Sequence, residues 1–396
     1  MAPRERPAAP AIPPLLKDLN QRTVLEAIRA SAPVSRAELS RRVGISKPTV
    51  SLAIQSLLDA GLVRRAAEEP DGPSYGAVFF EPVPEAALVL GLDLGARFLR
   101  GAICDLRGEI RARQDVEVAG SDAASVLDVI ASLRDGLVEA TGLADELIDG
   151  VVVGVPGVVD AETGRIDLAT SVAGLEGGSF RTALRDRLEL PVTLENDVNL
   201  AALGEQWQGV ARGVDDFVFL SVGTGMGAGL VLRGELHRGR HGAAGEVDYA
   251  LAGLAEDVDP CAGAITAYAA RLVDERRGET SLRSPFDPRA IFAAARAGDP
   301  VARHVVEEVA RRIALHVVPI AAVTDVSLVV LGGGLGANGD LLLRPVREHL
   351  RGWVPYPPQV DVSSLGEAAV LAGALAVGLR AALDNVFVER PRPARV

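Results

Sequence analysis

Leu220–Tyr249 reads LSVGTGMGAGLVLRGELHRGRHGAAGEVDY. An apolar run, Phe217–Val222, stops at Gly223-Thr224-Gly225. Gly227 and Gly229 follow, then a second apolar run, Leu230–Leu232. Arg233-Gly234-Glu235 turns the chain, and His237–Gly245 is a small-residue, basic loop closed by Glu246. A strand that ends in glycines around one Thr exposes backbone N–H groups and a hydroxyl at close range, an arrangement that suits phosphate. A glycine-rich hairpin without any ligand is the competing reading.

The chain has 396 residues, enough for two or three domains. Hydrophobic residues make up 48% and charged residues 24%, a globular composition. The formal net charge of −12 conceals an asymmetry. Residues 1–50 carry 9 Lys/Arg against 4 Asp/Glu, and both lysines of the chain, Lys17 and Lys47, lie there. A mildly basic head on an acidic body fits nucleic-acid binding at the front and another task behind it; a solvated helix pair is the alternative. Cys104 and Cys261 have no paired spacing, so neither a disulfide framework nor a complete zinc cluster is expected, as in a reducing cytoplasm. Residues 1–14 are rich in Pro and Ala and read as a disordered arm, with neither signal peptide nor membrane helix.

Residues 15–80 read as an α-helical module with a wing. Leu16, Leu19, Val24, Leu25 and Ile28 form a helical stripe. Ser35-Arg36-Ala37-Glu38 is a capping box opening a second helix, Arg36–Val43, that Gly44 ends. Ser46 caps a third helix, Lys47–Ala60, with Pro48 in its first turn. Val50, Ile54, Leu57 and Leu58 form its buried face. The string VSRAELSRRVGISKPTVSLAIQSLLDAGLV resembles winged helix-turn-helix domains along its whole length, and a plain three-helix protein-binding bundle is the alternative. In the helix-turn-helix motif the N-terminal part of the recognition helix faces base edges. The candidate DNA contacts are Arg36, Ser46, Lys47, Thr49, Ser51 and Gln55, with Arg64 and Arg65 at the base of the wing. The wing tip, Glu68–Tyr75, carries three acids and no Arg, so it is expected to add little affinity for phosphates. Residues 81–87, with Glu81-Pro82-Val83-Pro84, read as a stiff linker.

In the body, Ala87–Leu94, Phe98–Leu106 and Glu109–Val118 read as three strands joined by tight turns, then a helix over Ser121–Thr141 and a strand over Gly150–Val155. Gly154-Val155-Pro156-Gly157 runs from strand into turn. Glu195-Asn196-Asp197-Val198-Asn199 lies where a strand gives way to a helix, the place where an α/β fold collects polar side chains. Gly332–Gly336 follows the strand Val326–Leu331. Together with the central stretch, these motifs resemble the ROK family (repressors, open reading frames and sugar kinases), over nearly the entire chain. The resemblance implies an α/β, actin-like (ribonuclease H-like) two-lobed sugar-kinase fold behind the winged helix-turn-helix. The first lobe would span 88–197 and be completed by a helix over 366–386; the second would span 198–365, leaving a disordered tail at 387–396.

The same resemblance assigns roles. Asp197 would be the general base of a sugar kinase, and Gly157, Asn196 and Glu246 would contact sugar. Asp93 and Gly95, Gly223-Thr224-Gly225, and Gly332 with Gly333 would be phosphate or nucleotide loops. The residues alone also allow a strand-end turn at Asp93 and a helix N-cap at Asp197. Departures matter as much. The family's Asp-x-Gly-Gly-Thr-Lys is here Asp93-Leu94-Gly95-Ala96-Arg97-Phe98, which argues against efficient use of ATP. Leu168–Gly178 lacks an Asn expected at the sugar. Tyr249 stands where the family has a zinc-binding His, and Leu251–Ala262 offers only Cys261 of a cysteine cluster, so no zinc or other cofactor is expected.

The sequence therefore reads as a transcriptional regulator of carbohydrate-related genes, a repressor in its expected form. Its expected partners are a pseudo-palindromic double-stranded DNA operator, a sugar-like effector reaching Tyr249 among other residues, and a second copy of the chain in a homodimer or larger homo-oligomer. An active sugar kinase, and a regulator whose body is an inert scaffold, are the alternatives.

Overall fold

The computed structural model describes residues 14–67, 77–118, 122–143, 147–169, 172, 174–251, 253, 257–276 and 278–389. The front module comprises α1 (Pro14–Ser31), β1 (Val34–Ser35), α2 (Arg36–Val43), α3 (Lys47–Asp59), β2 (Val63–Arg65) and β3 (Phe79–Pro82). The three strands form an antiparallel sheet in the order β1-β3-β2. Ser35 caps α2 by accepting from Glu38 N at 3.3 Å, but the reciprocal half of the capping box is absent. The Glu38 carboxylate pairs instead with Arg42 one turn on. Ser46 caps α3, with Pro48 in the first turn. Val24, Leu25, Ile28, Leu39, Val50, Ile54, Leu57 and Phe80 are buried together.

Three expectations are corrected here. Leu16 and Leu19 are exposed, so the buried stripe of α1 begins one turn later. Leu58 is only half-buried. The stretch read as a linker is structured: Glu81 and Pro82 pair with Arg64 and Val63 in the sheet, and Pro84–Ala86 is a 3-10 turn. The acidic wing tip, with residues 68–76, lies outside the described residues.

The body begins with β4 (Leu88–Leu94), β5 (Phe98–Asp105), β6 (Ile110–Glu117), α4 (Ala123–Thr141), β7 (Ile148–Val155), β8 (Val158–Val159), β9 (Ile166–Asp167), α5 (Ser179–Leu188) and β10 (Val192–Asn196). It continues with α6 (Asp197–Gln208), β11 (Phe217–Val222), β12 (Met226–Leu232), β13 (Glu235–Leu236), α7 (Ala262–Glu275), α8 (Pro288–Arg296) and α9 (Pro300–Thr324). The last elements are β14 (Leu328–Gly332), α10 (Gly333–Gly336), α11 (Gly339–Trp353), β15 (Gln359–Val362) and α12 (Ala369–Glu389). One sheet has the order β10-β7-β4-β5-β6, the other β13-β12-β11-β14-β15. In each, the first strand is central, an antiparallel meander extends to one side and two parallel strands to the other. This repeated topology is the two-lobed architecture the sequence predicts. The strands β13 and β15 were not expected. Each is short, and β15 offers only Val360 and Val362 as apolar signal.

Between the sheets lie α6 and α12, packed tightly on each other. Their contact depends on two glycines. A Cβ on Gly204 would strike the Ala369 carbonyl, and one on Gly373 would strike the Leu200 carbonyl. The apolar composition of α12 would suffice by length to cross a membrane. Packing accounts for it instead: Leu371, Leu375, Leu379 and Leu383 share one buried cluster with the core of the front module. Arg22 of α1 pairs with Asp384 of α12, and Arg29 Nε donates to the Leu106 carbonyl at 2.6 Å. The front module is therefore seated on the body. The helix continues through Glu389, past residue 386, where the disordered tail was expected to begin.

Candidate functional site

The C-terminal ends of β4, β10, β11 and β14 converge between the two sheets, the position at which open α/β sheets collect ligands. Asp93, Arg100, Asp197, Ser221, Gly333 and Glu367 are among the residues lining a cavity of ≈ 200 Å³ there. The predicted residues Asp93, Asp197 and Gly333 thus meet. Thr224 and Gly225 are exposed on the turn beside them. A Cβ on Gly223 would lie 3.5 Å from Gly334 N, so the two glycine loops adjoin. Gly333 needs its glycine for two reasons: φ is +76°, and a side chain would strike the Val222 backbone. Gly332 packs beneath the Phe219 ring. Gly95 closes the β4–β5 turn by donating to the Phe98 carbonyl at 2.9 Å.

Arg100, which sequence reasoning missed, changes the character of the cleft. Its guanidinium pairs with Asp93 at 3.3 Å and with Glu367 at 2.9 Å. Burial nevertheless pushes the Asp93 carboxyl up to about 6, with Arg100 opposing the shift. Asp197 rises further, to about 7, through burial first and then the negative charge of Asp93, with Glu246 adding to it. The cleft therefore holds two carboxyls that exchange protons near neutrality. The signal for Arg100 was a charge inside a largely apolar strand; its partner Glu367 is remote in sequence.

The residues that the resemblance assigns to sugar form a second group. Asn196, not Asp197, caps α6, its Oδ1 accepting from Asn199 N at 2.9 Å. Its Nδ2 donates to the Gly157 carbonyl at 2.9 Å and to Asp197 Oδ1 at 3.3 Å. Asp197 is the first helical residue and accepts from Val198 N at 2.8 Å. Glu195 is buried beneath them and receives Arg238 Nε at 2.7 Å, another pair absent from the sequence reading. Glu246 is half-buried, and burial followed by the charge of Asp248 raises its carboxyl. Tyr249 is 64% exposed in the 3-10 turn Val247–Leu251, so it encloses nothing in this arrangement.

The described residues near Tyr249 do not fit zinc. Among the described residues no three His, Cys, Asp or Glu side chains converge as a ligand set. Burial, with Asp259 second, pushes the Cys261 thiol up, away from thiolate. His316 Nδ1 donates to the Arg312 carbonyl at 2.9 Å. The buried Arg312 guanidinium ties the loop to α9 through Asp257 at 3.2 Å and the Asp259 carbonyl at 2.7 Å, and is held from within α9 by Glu308 at 2.7 Å.

On the front module, Lys47 and Arg65 are exposed and Ser51 is half-buried. Other candidates have local partners. Ser46 and Thr49 hydroxyls meet at 2.8 Å, Gln55 Nε2 donates to Asp59 at 2.8 Å, Arg64 pairs with Glu81 at 2.7 Å, and Arg36 lies over the Phe80 ring at 5.3 Å.

Comparison with known proteins agrees with this division. The ROK family model matches residues 89–381, and a MarR family model matches residues 16–72. A xylose repressor of Caldicellulosiruptor bescii is 28% identical over 386 residues, covering 92% of this chain and 96% of the relative. A glucokinase of Streptomyces coelicolor is 28% identical over 316 residues, covering 72% of this chain and 96% of that one. Among solved structures, a ROK family transcriptional regulator described as a homologue of the E. coli MLC protein superposes with a TM-score of 0.78. It is 22% identical and covers 94% of this chain and 98% of its own. A ROK family glucokinase from Streptomyces griseus, in complex with glucose and AMPPNP, gives a TM-score of 0.62 at 27% identity, covering 73% of this chain and 98% of its own. The kinases match the body alone, whereas the repressor and the regulator extend over the front module as well. The chain belongs to the ROK family, and its added winged helix-turn-helix makes it a DNA-binding transcriptional regulator.

Proposed function

We propose that the chain is a sugar-responsive repressor in which the cleft between the sheets takes a sugar or sugar derivative and α12 carries the consequence to the DNA-binding module. The observation that supports this most is the course of α12. Ala369 and Val370 line the cleft, and farther along the same helix Leu379 and Leu383 border a cavity shared with Leu25 of α1, where Asp384 pairs with Arg22. A sugar that draws the sheets together shifts α12 against α6 and with it the seat of the recognition helix. Only a difference in sugar affinity between the two arrangements can move the DNA equilibrium. Asn196, Asp197, Gly157 and Glu246 are the proposed sugar contacts, and Lys47, Thr49, Ser51 and Gln55 the proposed base contacts. A homodimer on a pseudo-palindromic site, in the cytoplasm, completes the reading.

The cleft acts as a sensor in this proposal, without turnover. Arg100 engages the Asp93 carboxylate at 3.3 Å, and Ala96 stands where the phosphate-contacting motif of the family has its second Gly. Thermal unfolding against xylose, glucose and N-acetyl sugars tests the reading: at least one stabilises the full chain, and Asp197→Ala abolishes the effect. Stabilisation by none of them would favour an inert scaffold body.

The family includes kinases, and one observation favours a second reading. A carboxyl near pKa 7 is well placed to take a proton from a sugar hydroxyl. Sugar-dependent ADP release that disappears in Asp197→Asn would establish it.

A further inference from the structure

The recognition helix carries an apolar contact that its polar residues conceal. In α3, Val50, Ala53, Ile54 and Leu57 are buried. Successive helical residues turn by about 100°. The direction opposite that buried quartet falls among Pro48, Leu52, Gln55 and Asp59, with Lys47 and Thr49 on the flanks. Leu52 is 63% exposed at this pole, and Pro48, one turn earlier, is exposed too. Gln55 and Asp59 satisfy each other at 2.8 Å. The most outward surface of the helix's first two turns is therefore a small apolar ridge, with Lys47 and Ser51 on one side and Thr49 on the other.

An exposed leucine is common and by itself signifies little. What sets Leu52 apart is its place on the helix. The N-terminal half of this helix is the part that enters the major groove, and the apolar feature on the major-groove floor is the 5-methyl group of thymine. A leucine there excludes water from a methyl group, which a polar side chain cannot do without losing hydrogen bonds. Against cytosine, the same leucine would face an amino group and leave it unpaired. We infer that Leu52, supported by Pro48, reads a thymine methyl and contributes sequence specificity beyond the hydrogen-bonding residues of α3.

The inference rests on the DNA-binding reading, and the experiment separates the two. Full-length protein is used to select its preferred duplex from a random pool. Each thymine of that duplex is then replaced singly by deoxyuridine, which keeps the base pairing and removes only the methyl. Wild-type protein is expected to lose about fourfold in affinity at one or more positions, the worth of burying one methyl group. Leu52→Ala is expected to bind the original duplex more weakly and to be indifferent to deoxyuridine at those same positions. Its thermal midpoint should match wild type, since Leu52 supports no core. If Leu52→Ala binds as tightly as wild type, or shows the wild-type deoxyuridine profile at every thymine, the inference is wrong while DNA binding stands. If wild-type protein enriches no duplex, DNA binding fails and the inference with it.

Discussion

Arg238, in the loop after β13, donates from Nε to Glu195 Oε2 on β10 at 2.7 Å and so joins the two sheets beneath the cleft. The other Glu195 oxygen accepts from Asn196 N and Asn199 Nδ2, both at 3.0 Å. This carboxylate therefore fixes the start of α6 and orients the residues above it. Removing Arg238 leaves a buried, uncompensated charge. Arg238→Ala is expected to lower stability by about 2 kcal/mol, less than for a fully buried pair because Arg238 is partly exposed. Urea denaturation measures the loss, and Arg238→Met with Glu195→Gln should recover much of it. An unchanged urea midpoint in Arg238→Ala would remove this pair from the account.

The two raised carboxyls set the pH dependence. Asp93 and Asp197 have native pKa values of about 6 and about 7, above the ordinary 3.8. The native state therefore binds these protons more tightly than the unfolded chain. The stabilisation is complete below pH 3.8 and is lost as pH rises through 6 and 7. Asp197→Asn removes its share of that penalty. The variant should be more stable than wild type at pH 8, with the advantage shrinking toward pH 4. An advantage that is equal at both pH values would contradict the assignment.

The α6–α12 contact tolerates no side chain at Gly373, because a Cβ would meet the Leu200 backbone and not a movable side chain. Gly373→Ala is expected to cost about 2 kcal/mol through overpacking. It should also weaken the effect of sugar on DNA binding, since it separates the two helices proposed to carry the motion. Denaturant midpoints check the first effect, and operator titrations with and without sugar check the second.

How much of this was legible follows from how local each signal is. The helices α2 and α3 announced themselves through Ser35, Gly44, Ser46 and Pro48, all within a turn of what they cap. The strands that end at Leu94, Asn196 and Val222 could be placed because each apolar run stops at a distinct break. Arg100 and Arg238 could not be placed, because Glu367 and Glu195 reach them only through the fold. A helix over 366–386 was expected, but its link to α1 through Arg22 and Asp384 was not, so residues 81–87 looked like a tether. A preference for hydrogen-bonding residues on a DNA-facing helix hid Leu52. Leu16 and Leu19 fit the period of α1 yet lie beyond the reach of its core.

Lys47 begins the recognition helix and is exposed. If it contacts a phosphate, Lys47→Ala should weaken binding evenly across duplex sequences and reduce the slope of log affinity against log salt by about 1. If it contacts a base, the loss should concentrate on one base pair of the selected duplex. Titrations at several salt concentrations distinguish the two, and no change in either quantity would exclude Lys47 from the interface.

The central claim is that the cleft and the DNA-binding module are linked through α12. Fluorescence anisotropy of the full chain on its selected duplex, titrated with and without the sugar that stabilises it, measures that linkage directly. The account predicts a change in affinity of at least fivefold, which Asp197→Ala removes while sugar-free DNA binding persists. Identical DNA affinity with the sugar demonstrably bound would contradict it.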